Sequence, residues 1–263
     1  MKYDVANNKC SVLFEVEKDL TGPVYLYYRL SNFYQNHRRY VKSFDTRQLL
    51  GKAIDANSLV SDCDPLRTGV RDSDQAVLPI YPCGLIANSF FNDTFSSLSS
   101  TSPTAPLTYP WSDKGIAWPS DLNKFRPTEY GPNDVLPPPN WSKYAGGYTQ
   151  IPALWEDERF LVWMRTAGLP TFRKLWGRSD DDLPAGVYEM VIEDFYPVRS
   201  FNGTKSVVIS TTSWIGGRNP FLGIAYLAVG SICILVGIIF LIRHVIRPRA
   251  LGDTAHLSWN KNK

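Results

Sequence analysis

The sequence predicts a mainly β protein: an antiparallel, sandwich-like domain with short helices and long loops, followed by one C-terminal transmembrane helix. Short alternating or aromatic-rich stretches recur between turn residues. The composition carries 19 prolines, eight tryptophans and 14 tyrosines against three histidines and three methionines, which favours a β-rich, loop-rich domain over a helical bundle. A single uncharged apolar run stands near the C-terminus.

In chain order, the first predicted strand is SVLFEVE (11–17), where Val12, Phe14 and Val16 share one face against Ser11, Leu13, Glu15 and Glu17. That is the half-buried pattern of an antiparallel sheet. PVYLYYRL (23–30) reads as a second strand, and FDTRQLLG (44–51) as a short helix with Asp45 as N-cap and Gly51 as its stop. Residues 83–95 are ambiguous between helix and loop. SSLSSTSPTAP (96–106) reads as a low-complexity surface loop and LPPPNW (136–141) as a polyproline-like segment. RFLVWMR (159–165), VYEMVIED (187–194) and KSVVISTT (205–212) read as further strands. Strands so scattered imply one domain over residues 1–219 with long excursions.

Phe221 to Ile242 is the uncharged run, FLGIAYLAVGSICILVGIIFLI. At about 1.5 Å per residue it reaches about 33 Å, enough to cross a hydrocarbon core of about 30 Å. A transmembrane helix is therefore expected at 220–242, with a basic tail at 243–263. Arg243, His244, Arg247 and Arg249 crowd its C-terminal flank, while Arg218 and, further back, Lys205 stand on the other side. The positive-inside rule puts the tail in the cytosol and the large domain on the exoplasmic side.

The opening, MKYDVANNKCSVLFEVEKDL, has no basic region followed by an apolar one, so nothing in it directs translocation. Either the chain continues further at its N-terminus or it is a tail-anchored protein with its large domain in the cytosol. Tail anchoring would carry RHVIRPR across the membrane against the charge rule, so the first is expected.

Charge excludes one class of partner. Of 28 Lys+Arg and 25 Asp+Glu, five basic residues (Arg243, Arg247, Arg249, Lys261, Lys263) and one acid (Asp253) lie in the tail. Residues 1–242 are left with 23 basic and 24 acidic side chains, a net −1. A nearly neutral domain is not built to displace counterions from nucleic acid.

Three N-x-S/T sequons occur, at Asn92, Asn140 and Asn202. Composition alone would scatter a similar number, so they count only beside the charge rule. Of four cysteines, Cys233 falls in the membrane helix. Cys63 and Cys83 bracket a loop that a disulfide could close, leaving Cys10 odd; the other reading is three reduced core thiols. No spacing suggests zinc, and no cofactor is called for.

No constellation for chemistry emerges. His37 is the single histidine before the membrane run and has no GxSxG companion. HExxH, P-loop, GxGxxG and EF-hand patterns are absent, and Asp180, Asp181 and Asp182 read as a solvated turn. A glycosidase carboxylate pair is invisible to spacing, because Asp and Glu are plentiful, and the tryptophans could line a sugar platform or fill the core. A membrane-anchored carbohydrate-binding or carbohydrate-cleaving protein is thus the alternative function. The segment NHRRYVK (36–42), with His37, Arg38, Arg39 and Lys42, is the strongest basic patch outside the tail and fits either a solvated strand end or contact with acidic groups. Gly223, Gly230 and Gly237 recur every seven residues and would let another helix approach closely.

GPVYLYYRLSNFYQNHRRYVKS (22–43), YPCGLIANSFFNDTF (81–95), FLVWMRTAGLPTFRKLWG (160–177) and GTKSVVISTTSWIGGRNPFLGIAYLAVG (203–230) together resemble, in order, the signature segments of the Cdc-fifty, or ligand-effect-modulator-three, family. The resemblance runs from Cys10 to about Ile242. It implies a non-catalytic accessory (β) subunit of a type IV P-type ATPase, a pump that moves phospholipid to the cytosolic leaflet. It also implies a glycosylated, disulfide-bonded exoplasmic β domain held between two membrane helices, needed for the pump to leave the endoplasmic reticulum for the Golgi, endosomes and plasma membrane. Against that pattern this sequence lacks the N-terminal tail and first helix. A cysteine partner for Cys10 would be expected in the part it lacks.

Overall fold

The computed structural model describes residues 2–4, 8–100, 108–213, 216–217, 220–248 and 252. The chain divides into two compact units, Met1–Thr212 and Ser213–Lys263. Arg218, Arg249, Asp253, Lys261, Lys263 and residues 101–106 of the expected loop lie outside the described residues.

In the first unit, one sheet runs β1 (Lys2–Asp4), β2 (Lys9–Val16), β10 (Gly186–Glu193), β7 (Leu98–Ser100) and β8 (Thr108–Tyr109), with β6 (Thr94–Phe95) also paired to β10. All of these pairs are antiparallel, and β10 meets β2 over its whole length, from Gly186↔Val16 to Glu193↔Lys9. A second sheet places β3 (Val24–Leu30) between β11 (Lys205–Ser213) and β9 (Phe172–Ser179), also antiparallel. A small hairpin joins β4 (Thr68–Val70) to β5 (Val77–Pro79).

Strand alternation delivers the core. On β3 the residues Val24, Leu26, Tyr28 and Leu30 are buried, and they pack with Phe172 and Trp176 of β9 and with Tyr188 and Met190 of β10. The two sheets therefore share one apolar core, as a mainly β sandwich requires. On β2, Phe14 and Val16 pack against this core while Leu13 is exposed.

A second core is built mostly by loops. It gathers Leu49, Tyr81, Phe125, Tyr130, Trp141, Tyr148 and Leu154 around Phe160 and Leu161. The helix at 44–51 forms as expected, with α2 (Thr46–Leu49) capped by the Asp45 side chain, which accepts from Arg47 N. Gly51 ends it at φ +93°, where a Cβ would stand 2.2 Å from Pro127 O. The ambiguous stretch 83–95 divides into α3 (Leu85–Asn88) and the strand β6. The other short helices are α1 (Arg38–Val41) and α4 (Pro119–Leu122).

Two expectations are corrected. RFLVWMR is not a strand: it lies in the helix α5 (Glu158–Met164). A short apolar run has no decisive periodicity, and here burial in two cores decides, with Phe160 and Leu161 in the loop-built core and Trp163 in the sheet core. Asp157 caps the start of α5, accepting from Phe160 N at 3.1 Å. Nor is 96–106 wholly a surface loop, because Leu98 is fully buried and β7 pairs with β10 through Tyr188↔Ser100 and Glu189↔Ser99.

In the second unit, α6 (Pro220–Ile246) contains the one span, Phe221–Ile246, that is long and apolar enough to cross a membrane among the described residues. It runs four residues beyond the expected end at Ile242 and takes Arg243 and His244 into its last turn, where cations suit the helix dipole.

Candidate partner-facing surfaces

The basic segment 36–42 is presented on a rigid base. Tyr40 is buried, its hydroxyl 2.8 Å from Ser89 Oγ and accepting from Gln35 Nε2 at 3.3 Å. Gln35 is itself fully buried and accepts from Ala167 N. With Tyr40 pinned, His37, Arg38, Arg39 and Lys42 all face solvent. Asn36 donates to Gly168 O at 3.0 Å, beside the exposed Leu169, and Arg39 donates to Asp64 O at 3.4 Å. Tyr34, 56% exposed, adds an aromatic edge. A cleft of about 430 Å³ adjoins the segment, lined by Val41, Lys42, Phe44, Arg47, Val60 and Asp62 among others.

The same block contains the disulfide. Cys63 and Cys83 are bridged and buried beneath Leu59. Gln48, fully buried, donates to Ile80 O at 2.9 Å and Tyr130 Oη at 3.3 Å and accepts from Cys83 N at 2.9 Å. Gly84 follows at φ +96°, where a Cβ would fall 2.1 Å from Ser43 O, and Leu85 N donates to Ser43 Oγ. Burial acts to raise the Asp45 carboxyl, but hydrogen bonds from Arg47 and Val60 hold it below the usual carboxylate value. Basic segment, α2 and bridged loop thus form one braced unit. Cys10 is buried on β2 and unbridged, and Cys233 is exposed on α6.

Asn92, Asn140 and Asn202 are all exposed. Asn202 sits in the left-handed region at φ 52°, ending a short turn, and Asn140 N donates to Asn88 Oδ1. On α6, a Cβ at Gly223, Gly230 or Gly237 would meet nothing within 4 Å, so these positions are open.

The residues with most potential for catalysis are not brought together. His37 is exposed, Glu193 pairs with Lys9 at 3.4 Å, and Asp180 to Asp182 form an exposed turn in which Asp180 pairs with Arg178 and Asp182 accepts from Gly22 N. Among the described residues no group of three or more His, Cys, Asp or Glu could hold a metal ion.

One buried group escaped sequence reasoning. Lys174 of β9 points inward and donates from Nζ to Val162 O at 2.9 Å, Trp163 O at 3.0 Å and Arg165 O, closing the C-terminal end of α5. Burial first, and Arg165 second, push its ammonium down to about 7. Its only visible signal is a lysine at an inward register of FRKLWGRS.

These features define a class: a predominantly β domain joined to a helix long and apolar enough to cross a membrane, with an exposed basic segment on a disulfide-braced block. The chain belongs to the LEM3 (ligand-effect modulator 3) family / CDC50 family, whose model matches residues 1–250. It is 46% identical over 98% of its length to the phospholipid-transporting ATPase accessory subunit CRF1 of Saccharomyces cerevisiae, covering 65% of that protein. It is 45% identical over 96% of its length to ALA-interacting subunit 3 of Arabidopsis thaliana, covering 68% of it. Cell cycle control protein 50A of Mus musculus is 45% identical over 91% of this chain, with 69% of its own length covered. The chain thus spans about two thirds of the length of these relatives.

Proposed function

We propose that this chain is a non-catalytic accessory subunit of a phospholipid-translocating type IV P-type ATPase, forming a heterodimer with the large pump subunit. The observation that carries the reading is the family match over residues 1–250, with a relative named as a phospholipid-transporting ATPase accessory subunit matching 98% of the chain. The scattered placement of His37, Asp181 and Glu193 supports a partner role over a reaction of its own.

In this reading residues 1–219 lie on the exoplasmic side, carry glycans at Asn92, Asn140 and Asn202, and cover exoplasmic loops of the pump. Residues 220–242 cross the membrane and 243–263 face the cytosol. His37, Arg38, Arg39 and Lys42 meet acidic pump loops, and the Gly223, Gly230, Gly237 face packs against a neighbouring helix. The subunit stabilises states of the transport cycle, licenses exit from the endoplasmic reticulum, and accompanies the pump to Golgi, endosomes and plasma membrane.

Affinity purification of the protein from its own cells in mild detergent tests the reading: a large P-type ATPase should come with it. Deleting its gene should retain that ATPase in the endoplasmic reticulum and reduce uptake of fluorescent phospholipid. Unchanged uptake and pump localisation, with no relative in the genome to compensate, would overturn it.

A further inference from the structure

A cleft of about 460 Å³ opens beside Asn92 and is lined by Phe90, Asp113, Lys143, Glu156 and Arg159 among others. Its volume lies within the range of about 300–1,000 Å³ typical of small-molecule clefts. Asp113 faces the field of Arg159 and Lys143 lies 5.7 Å from the Tyr144 ring centroid, but most hydrogen-bonding capacity stays open. Among the described residues no hydrogen bond or ion pair engages the side chains of Asp113, Lys143 or Glu156, nor the amide of Asn92 itself. Arg159 is stacked 3.6 Å above the Trp176 ring and commits its Nε–H to Trp176 O at 2.9 Å, which fixes the guanidinium while four of its five donors stay outside that bond. Phe90, half-buried, adds an apolar wall.

Carboxylate acceptors, cationic donors and an aromatic wall in one open groove suit a ligand whose hydroxyl and acetamido groups both donate and accept and whose ring faces are apolar. That is the chemistry of a saccharide. A groove this polar would hold a free sugar weakly, since each exposed hydrogen bond exchanges with water for a net of about 1 kcal/mol. Tethering alters the balance: a sugar attached to the rim has an effective concentration in about the millimolar range, so weak contacts suffice to keep it seated. Asn92 supplies that tether, because it is exposed, lines the groove and heads the sequon Asn92-Asp93-Thr94.

We infer that the groove lined by Phe90, Asp113, Lys143, Glu156 and Arg159 is an intramolecular saccharide site that seats the first N-acetylglucosamine residues of a glycan carried on Asn92. The inference rests on the exoplasmic placement proposed above. It gives this glycan a structural role: it covers the charged side chains next to the start of α5 and so joins β6 to the loops at 113 and 143.

Site-resolved release of glycans by peptide N-glycosidase from the full, natively folded protein in detergent, scored by mass spectrometry of the resulting Asn-to-Asp conversion, tests it. Asn92 should be released more slowly than Asn140 and Asn202. The combined variant Asp113→Asn, Lys143→Ala and Glu156→Gln should speed release at Asn92 about tenfold, equivalent to about 1.4 kcal/mol of shielding, and leave the other two sites unchanged. Should the combined variant fail to fold, Glu156→Gln alone, at an exposed position, should move release in the same direction. A rate at Asn92 indifferent to these substitutions overturns the inference, as does an unoccupied Asn92 on a protein glycosylated at Asn140 or Asn202. Loss of pump association in the variant with release at Asn92 unchanged assigns the groove to the partner instead. A protein glycosylated at none of the three removes the exoplasmic placement itself, and the inference with it.

Discussion

The sheet core and the loop-built core solve the same problem differently. In the sheet core, Val24, Leu26 and Leu30 can be purely apolar because the antiparallel ladders of β3 with β9 and β11 already pair the backbone. The loop-built core has no ladder, so side chains must satisfy buried carbonyls one by one. Trp141 Nε1 donates to Ala87 O at 2.8 Å, Tyr148 Oη to Tyr81 O at 2.7 Å, Tyr130 Oη to Ile54 O at 2.7 Å, and Gln48 Nε2 to Ile80 O. Burial raises the hydroxyls of Tyr130 and Tyr148, which keeps both protonated as donors. The disulfide adds a covalent clamp to this loop-rich side. Irregular backbone can be buried, but only with polar side chains assigned to it.

The junction between the two cores should be the most sensitive point. Trp163 is fully buried, lies between Tyr28, Phe33, Phe90 and Tyr196, and donates from Nε1 to Ile86 O at 2.8 Å. Trp163→Ala should cost about 3–5 kcal/mol, read as loss of the folded fraction in denaturant melts of the purified protein. A loss under 1 kcal/mol would mean that the two cores are independent.

Next is the clamp. Replacing Cys63 and Cys83 together with Ala should cost about 3 kcal/mol for a closed loop of about this length. Limited proteolysis should then cut first between residues 52 and 83, leaving β3, β9 and β10 protected. Simultaneous loss of both would show that the loops do not have their own stability.

Gln48→Leu keeps the volume close but leaves Ile80 O and Cys83 N without that side chain, at an expected 1–3 kcal/mol, about the cost of unsatisfied buried groups. The apolar positions Val24, Leu26 and Leu30 of β3 carry no such hydrogen bond to lose, which is the contrast this substitution measures.

The smallest effect per step is a slope with pH. Lys174 titrates at about 7 when folded and near the ordinary 10.5 when unfolded. Between these values the unfolded chain holds more protons, so stability rises with pH, by at most about 1.4 kcal/mol per unit from this one group. Below pH 7 both forms are charged and the dependence from Lys174 vanishes. Lys174→Met should flatten that rise; an unchanged slope would assign it to another group.

Much of this was legible in the residues. Alternation in SVLFEVE, VYEMVIED and KSVVISTT located β2, β10 and β11, because one buried face of a sheet imposes a period of two. Asp45 and Gly51 marked α2 through local capping alone. The Cys63–Cys83 pairing was visible as a closable loop. β9 was not visible as a strand, since FRKLWGRS puts Lys174 inward and Arg173 outward, and no periodicity of apolar residues survives. β6, β7 and β8 are two or three residues long and owe their existence to β10 beside them.

The groove beside Asn92 was equally hidden. Its lining comes from residues 90–94, 113, 143 and 153–159, which approach one another only in the folded chain. By itself, the sequence determined what depends on neighbours along the chain: strand alternation, the caps of α2, the sequons, the basic segment and the apolar run that becomes α6. The tertiary structure decided what depends on neighbours across it. RFLVWMR is apolar enough for either strand or helix, and it is a helix because its side chains are shared between two cores while a lysine from β9 takes up its last carbonyls. Those partners lie outside the window that fixes local propensity, and burial between them outweighs the few tenths of a kcal/mol by which propensity differs.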